Sequence, residues 1–268
     1  MNDYPIGIFD SGIGGLTVAH AIRKVLPNED IIYFGDTEHL PYGEKSKEAI
    51  KSYCRKIITF LIKKKCKAII IACNSASSFA DQDVIKLANQ TPIFNVIDPV
   101  ILEVGSQIDN SKIGVIGTKA TITSKIYERK IKEINSNKVI QSLATPLLAP
   151  LIEEGFINES ISSVVISKYL SNHALDDIHH LVLACTHYPL IYKEIKQYYN
   201  GKINIIDSSK IVANFVVKEL KKHNLISNKR TAKYQFYVSN YTESFEKSAN
   251  FFFKEKIKLE EVNLFSNQ

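Results

Sequence analysis

Two cysteines stand where a thiol could do chemistry. Cys73 and Cys185 each end an apolar run, Ala68-Ile69-Ile70-Ile71-Ala72 and Leu183-Ala184, and each is followed by small polar residues. After Cys73 come Asn74, Ser75, Ala76, Ser77 and Ser78; after Cys185 come Thr186, His187, Tyr188 and Pro189. A strand turning into a helix at such a point sets the sulfur near helix N-terminal N–H groups, which favour the thiolate. A free thiol titrates near ~8.5, so a modest shift makes it a usable base at neutral pH. His187 could orient or protonate a ligand, or hold the Cys185 thiolate as an ion pair. Asp10 opens a glycine turn, Asp10-Ser11-Gly12-Ile13-Gly14-Gly15-Leu16-Thr17, whose N–H groups can approach an anionic ligand closely. Thr17 stands where a dinucleotide fingerprint needs a third glycine, and no Walker A lysine is present. An acid at position 10 argues against a polyphosphate and suits a site that meets an ammonium group or supports a base. Gly35-Asp36-Thr37 and Pro41-Tyr42-Gly43 read as a shaped loop reaching the same edge. Cys73, Cys185 and His187 lack closely spaced ligand pairs and a fourth ligand, so no metal is expected there. Cys54, in a long helical pattern, and Cys66, among lysines, read as incidental thiols. His179 and His180 read as surface residues.

The elements that must position these groups are legible as short β-branched runs alternating with amphipathic stretches. Strands are expected at 5–9, 30–34, 67–72, 92–97, 112–116, 138–142, 180–184 and 203–206, with a last one at Tyr234–Val238. Most are solid apolar runs, as in strands buried on both faces of a parallel α/β sheet. Helices are expected over Leu16–Leu26, Lys45–Lys65, Ser77–Asn89, Thr121–Asn135, Ile161–Leu170, Pro189–Tyr199, Ile211–Lys222 and Ser244–Phe253. Pro189 suits a first helical turn, where its missing N–H costs nothing. Three strand ends recur in order: Ile6-Gly7-Ile8-Phe9 with Ile113-Gly114-Val115-Ile116, Ala72-Cys73 with Ala184-Cys185, and Ile97-Asp98 with Ile206-Asp207. The nearly constant offset implies two related α/β halves, with Cys73 and Cys185 at equivalent strand ends. Ligands of open parallel sheets bind at that edge.

Composition narrows the class further. The chain has 268 residues, 45% of them hydrophobic and 23% charged, which is enough apolar material for sizeable cores without disulfides or metals. None of the four cysteines forms a CxxC pair, and the start of the sequence reads as carrying no signal peptide. No apolar run approaches the ~20 residues of a membrane span. A cytoplasmic protein with free thiols and no membrane contact is therefore expected. The net charge of +6 is mild, so no nucleic-acid partner is expected; the Lys63–Lys67 run, with Lys221, Lys222, Lys229, Arg230 and Lys233, reads as solvated surface.

Taken together, Gly7 to Thr17, Tyr33-Phe34-Gly35-Asp36-Thr37 with Pro41-Tyr42-Gly43, Ala72-Cys73-Asn74-Ser75-Ala76-Ser77 and Ala184-Cys185-Thr186-His187-Tyr188-Pro189-Leu190 closely resemble the glutamate racemases of the aspartate/glutamate racemase superfamily. Gly114 to Thr118, with Thr121, resembles that family's second glycine turn. Ser75 departs from the usual threonine, keeping the hydroxyl and losing the methyl. The resemblance implies two flavodoxin-like domains related by pseudo-twofold symmetry, with the active site in the cleft between them. One is 1–97 completed by 208–268, the other 98–207. It implies cofactor-independent, two-base racemisation of glutamate, frequent homodimers, and D-glutamate supply for bacterial peptidoglycan. Cys73 and Cys185 would be the opposed acid/base pair, Asp10 assisting the first and His187 the second. Ser11, Pro41, Tyr42, Gly43, Asn74, Ser75, Thr118, Thr121 and Thr186 would bind substrate. The rival readings are an aspartate or hydantoin racemase, a maleate isomerase, and a non-catalytic amino-acid-binding protein of the same fold.

Overall fold

The computed structural model describes residues 2–80, 82–106, 111–157, 160–254 and 256–265. Among them, ten strands form two sheets. The first contains β1 (Ile6–Asp10), β2 (Ile31–Gly35), β3 (Ala68–Ile71), β4 (Ile93–Asn95), β9 (Tyr234–Val238) and β10 (Leu259–Glu261). The second contains β5 (Lys112–Gly117), β6 (Val139–Ala144), β7 (His180–Ala184) and β8 (Asn204–Ile206). The strand orders are β10-β9-β2-β1-β3-β4 and β6-β5-β7-β8, every pair parallel. Substituting β5 to β8 for β1 to β4 turns the β2-β1-β3-β4 part of the first order into the second, so the weak sequence repeat is a repeat of topology. The order reverses between the first and third strands of each half, the switch point at which open α/β sheets bind ligands.

The helices are α1 (Leu16–Val25), α2 (Lys47–Lys63), α3 (Asn74–Phe79), α4 (Gln82–Lys86), α5 (Asp98–Ser106), α6 (Lys119–Thr123), α7 (Ile126–Ile134), α8 (Leu148–Glu153), α9 (Ser160–Leu170), α10 (Tyr192–Tyr198), α11 (Ser208–Lys222) and α12 (Glu243–Phe253). One continuous apolar cluster joins Ile8 and Ile70 of the first sheet to Val115 and Val182 of the second through Val18 on α1, Val104 on α5 and Val216 on α11. The two sheets therefore share a helical layer. Separate clusters cover their outer faces, around Phe34 and Ile57 on one side and Leu183 and Ile166 on the other. Each such fully buried Ile, Leu or Phe contributes about 1.5–3 kcal/mol of transfer free energy.

Several expectations are corrected in ways that bear on the site. The helix expected from Ser77 starts at Asn74, because Cys73 itself serves as N-cap and accepts the Ala76 N–H through its sulfur at 3.5 Å. Its far end breaks, with a second short helix, α4, following. The helix expected over Thr121–Asn135 is two, α6 and α7, divided where Lys125 adopts φ of 53°. Pro189 does lie in a first turn, but of a 3-10 segment, Tyr188–Ile191, that precedes α10. Asp207 caps α11 by accepting the Ser209 N–H at 2.8 Å, which starts that helix before Ile211. Helices α5 and α8 and strand β10 were not foreseen. β6 is an edge strand with Val139 47% exposed, so its run is not buried on both faces. Lys67 is not surface. It is buried against Glu29 at 2.5 Å, because burial of one charge demands the other. No helix among the described residues is long and apolar enough to cross a membrane.

Candidate active site

The chemical groups gather at the C-terminal ends of parallel strands: Asp10 ends β1 and Ser11 follows it, Cys73 lies after β3, Thr118 after β5, and Cys185, Thr186 and His187 after β7. Both thiols, Asp10, His187 and the residues that the resemblance assigns to substrate line one tight cavity of about 20 Å³, with Ala149 added and Thr121 excepted. Thr121 stands behind the wall, where its hydroxyl accepts from Thr118 at 3.1 Å. The first sheet contributes one side of this space and the second sheet the other. The two sides are in contact: Ser75 Oγ lies 2.8 Å from Thr118 Oγ1, and Glu44 pairs with Lys119 at 2.9 Å. The hydroxyl retained at Ser75 thus bridges the cleft.

The glycine turn does something other than what was expected of it. Its N–H groups bind the protein's own carboxylates: Gly12 and Gly15 donate to Asp10 Oδ2 at 3.2 and 2.8 Å, and Ile13 donates to Glu153 Oε1 at 3.0 Å. Close approach requires the glycines. A Cβ on Gly14 would lie 2.5 Å from His187 Nδ1, and one on Gly12 would lie 2.2 Å from Glu153 Oε1. Thr17, the residue that breaks the dinucleotide pattern, donates to Gly14 O at 2.8 Å and to Thr186 O at 3.0 Å, tying the loop after β1 to the loop after β7.

The thiols are buried, 5% and 4% exposed. On one side, Ser11 Oγ lies 3.7 Å from the Cys73 sulfur. Burial and then the Asp10 charge push the Cys73 thiol well above its ordinary pKa, against the pull of the Ala76 N–H and the Ser11 hydroxyl. Asp10 is itself raised by burial, with His187 and the Gly15 N–H opposing. On the other side, His187 Nδ1 lies 3.5 Å from the Cys185 sulfur and Nε2 lies 2.5 Å from Glu153 Oε1. Burial alone would lower the imidazole; the Glu153 and Cys185 charges override it and hold its pKa well above the usual histidine range. Glu153 was missed by the sequence reading. It ends a short helix 34 residues before His187, and no spacing rule links the two.

Tyr42 lines the cavity, and its hydroxyl donates to Asp36 Oδ2 at 2.5 Å, while Asp36 Oδ1 accepts from Ser239 at 2.7 Å and faces His39 Nδ1 at 2.9 Å. A buried carboxylate of β2's loop thereby anchors Tyr42 and Gly43 to the segment after β9. Two polar atoms in the cavity wall have no partner within the protein: Asp10 Oδ1 and Asn74 Nδ2. The first is an acceptor suited to an ammonium group and the second a donor suited to a carboxylate, the two charged functions of an amino acid. Among the described residues no cluster of histidine, cysteine and acidic side chains could hold a metal ion.

Residues 16–216 match the Asp/Glu/Hydantoin racemase family. A curated relative, glutamate racemase 3 of Caldanaerobacter subterraneus subsp. tengcongensis, is 39% identical over 259 residues, covering 96% of this chain and 93% of its own. The crystal structure of glutamate racemase from Francisella tularensis in complex with D-glutamate superposes with a TM-score of 0.92 at 37% identity, covering 98% of this chain and 99% of that one. The glutamate racemase isoform RacE1 of Bacillus anthracis gives 0.91 at 32% identity, covering 98% of each chain.

Proposed function

The chain belongs to the Asp/Glu/Hydantoin racemase family, and on that premise we infer that it is an isomerase interconverting L- and D-glutamate, with Cys73 and Cys185 as opposed base and acid. The observation that carries this reading is the pair of thiols, from equivalent strand ends of two sheets, lining one buried cavity with separate proton partners.

Inversion at an α-carbon requires a base on one face and an acid on the other. One thiolate takes the α-proton, and the C–H electron pair moves into the adjoining carboxylate as enolate-like charge. The opposite thiol then gives its proton to the other face, leaving the two sulfurs with exchanged roles. An α-proton beside a carboxylate is far less acidic than a thiol, so donors and exclusion of water must stabilise the developing charge. Asp10 Oδ1 and Ser11 would meet the ammonium group; Asn74 Nδ2, Ser75, Thr118 and Thr186 would hold carboxylate oxygens. Tyr42 and Gly43 would act through backbone, since the Tyr42 hydroxyl is engaged by Asp36.

The relatives' printed substrate favours glutamate over aspartate or hydantoins. Residues 1–97 with 208–268 and residues 98–207 would be the two domains, and the functional unit a cytoplasmic homodimer supplying D-glutamate for bacterial peptidoglycan. Polarimetry in D₂O with proton NMR at the α-position tests the activity, with no pyridoxal phosphate or metal added. Loss of rotation and deuterium entry from either enantiomer are expected; a sample showing neither would remove the racemase reading. Sedimentation at micromolar concentration tests the dimer.

A further inference from the structure

Asn74 is the first residue of α3 and carries one of the two unpartnered polar atoms in the cavity wall. Its amide has two ends of opposite character, an acceptor oxygen and a donor NH₂, and which end faces the cavity decides what charge that corner accepts. The choice is made from across the cleft. Tyr127, on the first turn of α7 in the other half of the molecule, is 2% exposed and donates its hydroxyl to Asn74 Oδ1 at 2.7 Å. This is the one hydrogen bond recorded for the phenol among the described residues. A phenol with a single acceptor donates to it, so the oxygen end of the amide is claimed and the NH₂ end is turned into the cavity.

We propose that Tyr127 is a positioning residue that fixes the Asn74 amide with its donor end toward the substrate, committing that corner of the cavity to a carboxylate. The inference rests on the reading of the cavity as an amino-acid site. It adds a residue that does not line the cavity and that the sequence analysis did not single out. Burial pushes the Tyr127 phenol far above its ordinary pKa, with the nearby Cys185 adding to the effect, so the hydroxyl carries its proton throughout the working pH range. The amide orientation is therefore insensitive to pH. The bond also joins the two halves of the molecule beside both thiols. A carboxylate is recognised there only when the Tyr127–Asn74 bond is closed between the two halves.

The test is a double-mutant cycle read by calorimetric titration with D-glutamate, using full-length wild type, Tyr127→Phe, Asn74→Ala and the double variant. Loss of one hydrogen bond's orienting effect raises Kd by about two- to tenfold in Tyr127→Phe. In the Asn74→Ala background the same substitution changes nothing further, because there is no amide left to orient. An equal weakening in both backgrounds would show a merely structural tyrosine, and an unchanged Kd in Tyr127→Phe would show no role; either overturns the proposal. A measurement on the wild type guards against a variant that fails to fold. The Asn74 side-chain NH₂ resonances should shift on addition of D-glutamate, and unmoved resonances also overturn it. A wild-type protein that binds no glutamate overturns the amino-acid reading of the site, and is told apart by that control alone.

Discussion

The Cys73 and Cys185 sides of the cavity are built on β3 and β7, equivalent strands of the four-strand order that the two sheets share, yet they manage a proton by different means. Cys73 caps a helix, takes an N–H from Ala76, and faces a carboxylate, Asp10, that is itself held by two turn N–H groups. Cys185 faces an imidazole held by a second carboxylate, Glu153. A buried carboxylate near a buried thiol keeps the sulfur protonated, and the Cys73 pKa is accordingly driven up. An imidazole whose pKa is raised carries its charge at neutral pH and favours a thiolate beside it. The resting molecule thus holds a protonated thiol at Cys73 and a charged imidazole beside Cys185. The repeated topology supplies the two positions; the different residues around them supply the two proton inventories.

The largest effect should come from erasing one side of the comparison. Cys73→Ala and Cys185→Ala should each lower racemisation by about 10³-fold or more, since each removes a proton donor that no neighbour replaces. Because enantiomers have equal free energy, kcat/KM falls equally in both directions; inequality shows only in kcat and KM separately. Full activity in either variant, measured by polarimetry, would refute the two-thiol mechanism.

Next in size is Glu153→Gln, which keeps the shape and removes the charge behind His187. Activity should fall by about tenfold to a hundredfold. The pH profile gives the sharper readout. A histidine raised well above its ordinary value of 6.5 keeps its proton into the alkaline range, and its contribution is lost only as pH rises through the raised folded value. The alkaline limb should therefore move to lower pH in Glu153→Gln. The ion pair's share of stability follows the same sign, fully present below the unfolded histidine pKa and lost as pH rises through the folded one. An unmoved limb would assign it to another group and erase the asymmetry argued above.

A smaller effect is expected on the Cys73 side from Asp36→Asn. This substitution weakens the acceptor shared by Tyr42, Ser239 and His39 without touching either thiol. KM should rise by about threefold to tenfold while kcat holds, as for a loosened binding loop. A drop in kcat alone would mean that Asp36 acts on the chemistry of Cys73 instead.

How much of this was legible follows a physical line. Strand ends are written locally: a buried β-branched run and the polar residue at its end point to Asp10, Cys73 and Cys185 from the chain alone, while Thr118 came only with the resemblance. Side chains that matter through another residue are not. Glu153 and Tyr127 reach their partners across the cleft, and a short helix such as α8, or a helix divided at a left-handed Lys125, has too few turns to show a period. Lys67 was misjudged for the same reason, because its partner Glu29 lies on a different element. The glycine turn was recognised as an anion-binding device, but the anions it binds are internal.

The smallest effects should come from the two thiols that share burial with the site but not its partners. Cys54 packs at the α2 face of the first sheet and Cys66 precedes β3. Burial pushes each up to about 12, so neither is a base near neutral pH. A nearby Asp36 charge adds to the rise at Cys54, while Lys64 opposes it at Cys66. Cys54 is fully buried and its sulfur fills a packed core, so Cys54→Ala should cost about 1 kcal/mol or somewhat more in denaturant unfolding and leave kcat within about twofold. Cys66→Ala should cost less. A Cβ on Gly7 would already sit 3.0 Å from the Cys66 sulfur, so this corner is tight rather than in want of volume. If either substitution lowered racemisation as far as Glu153→Gln does, the division between bystander thiols and the cavity pair would fail. A place in the cavity lining, which Cys73 and Cys185 have and Cys54 and Cys66 do not, would then no longer be the feature that distinguishes them.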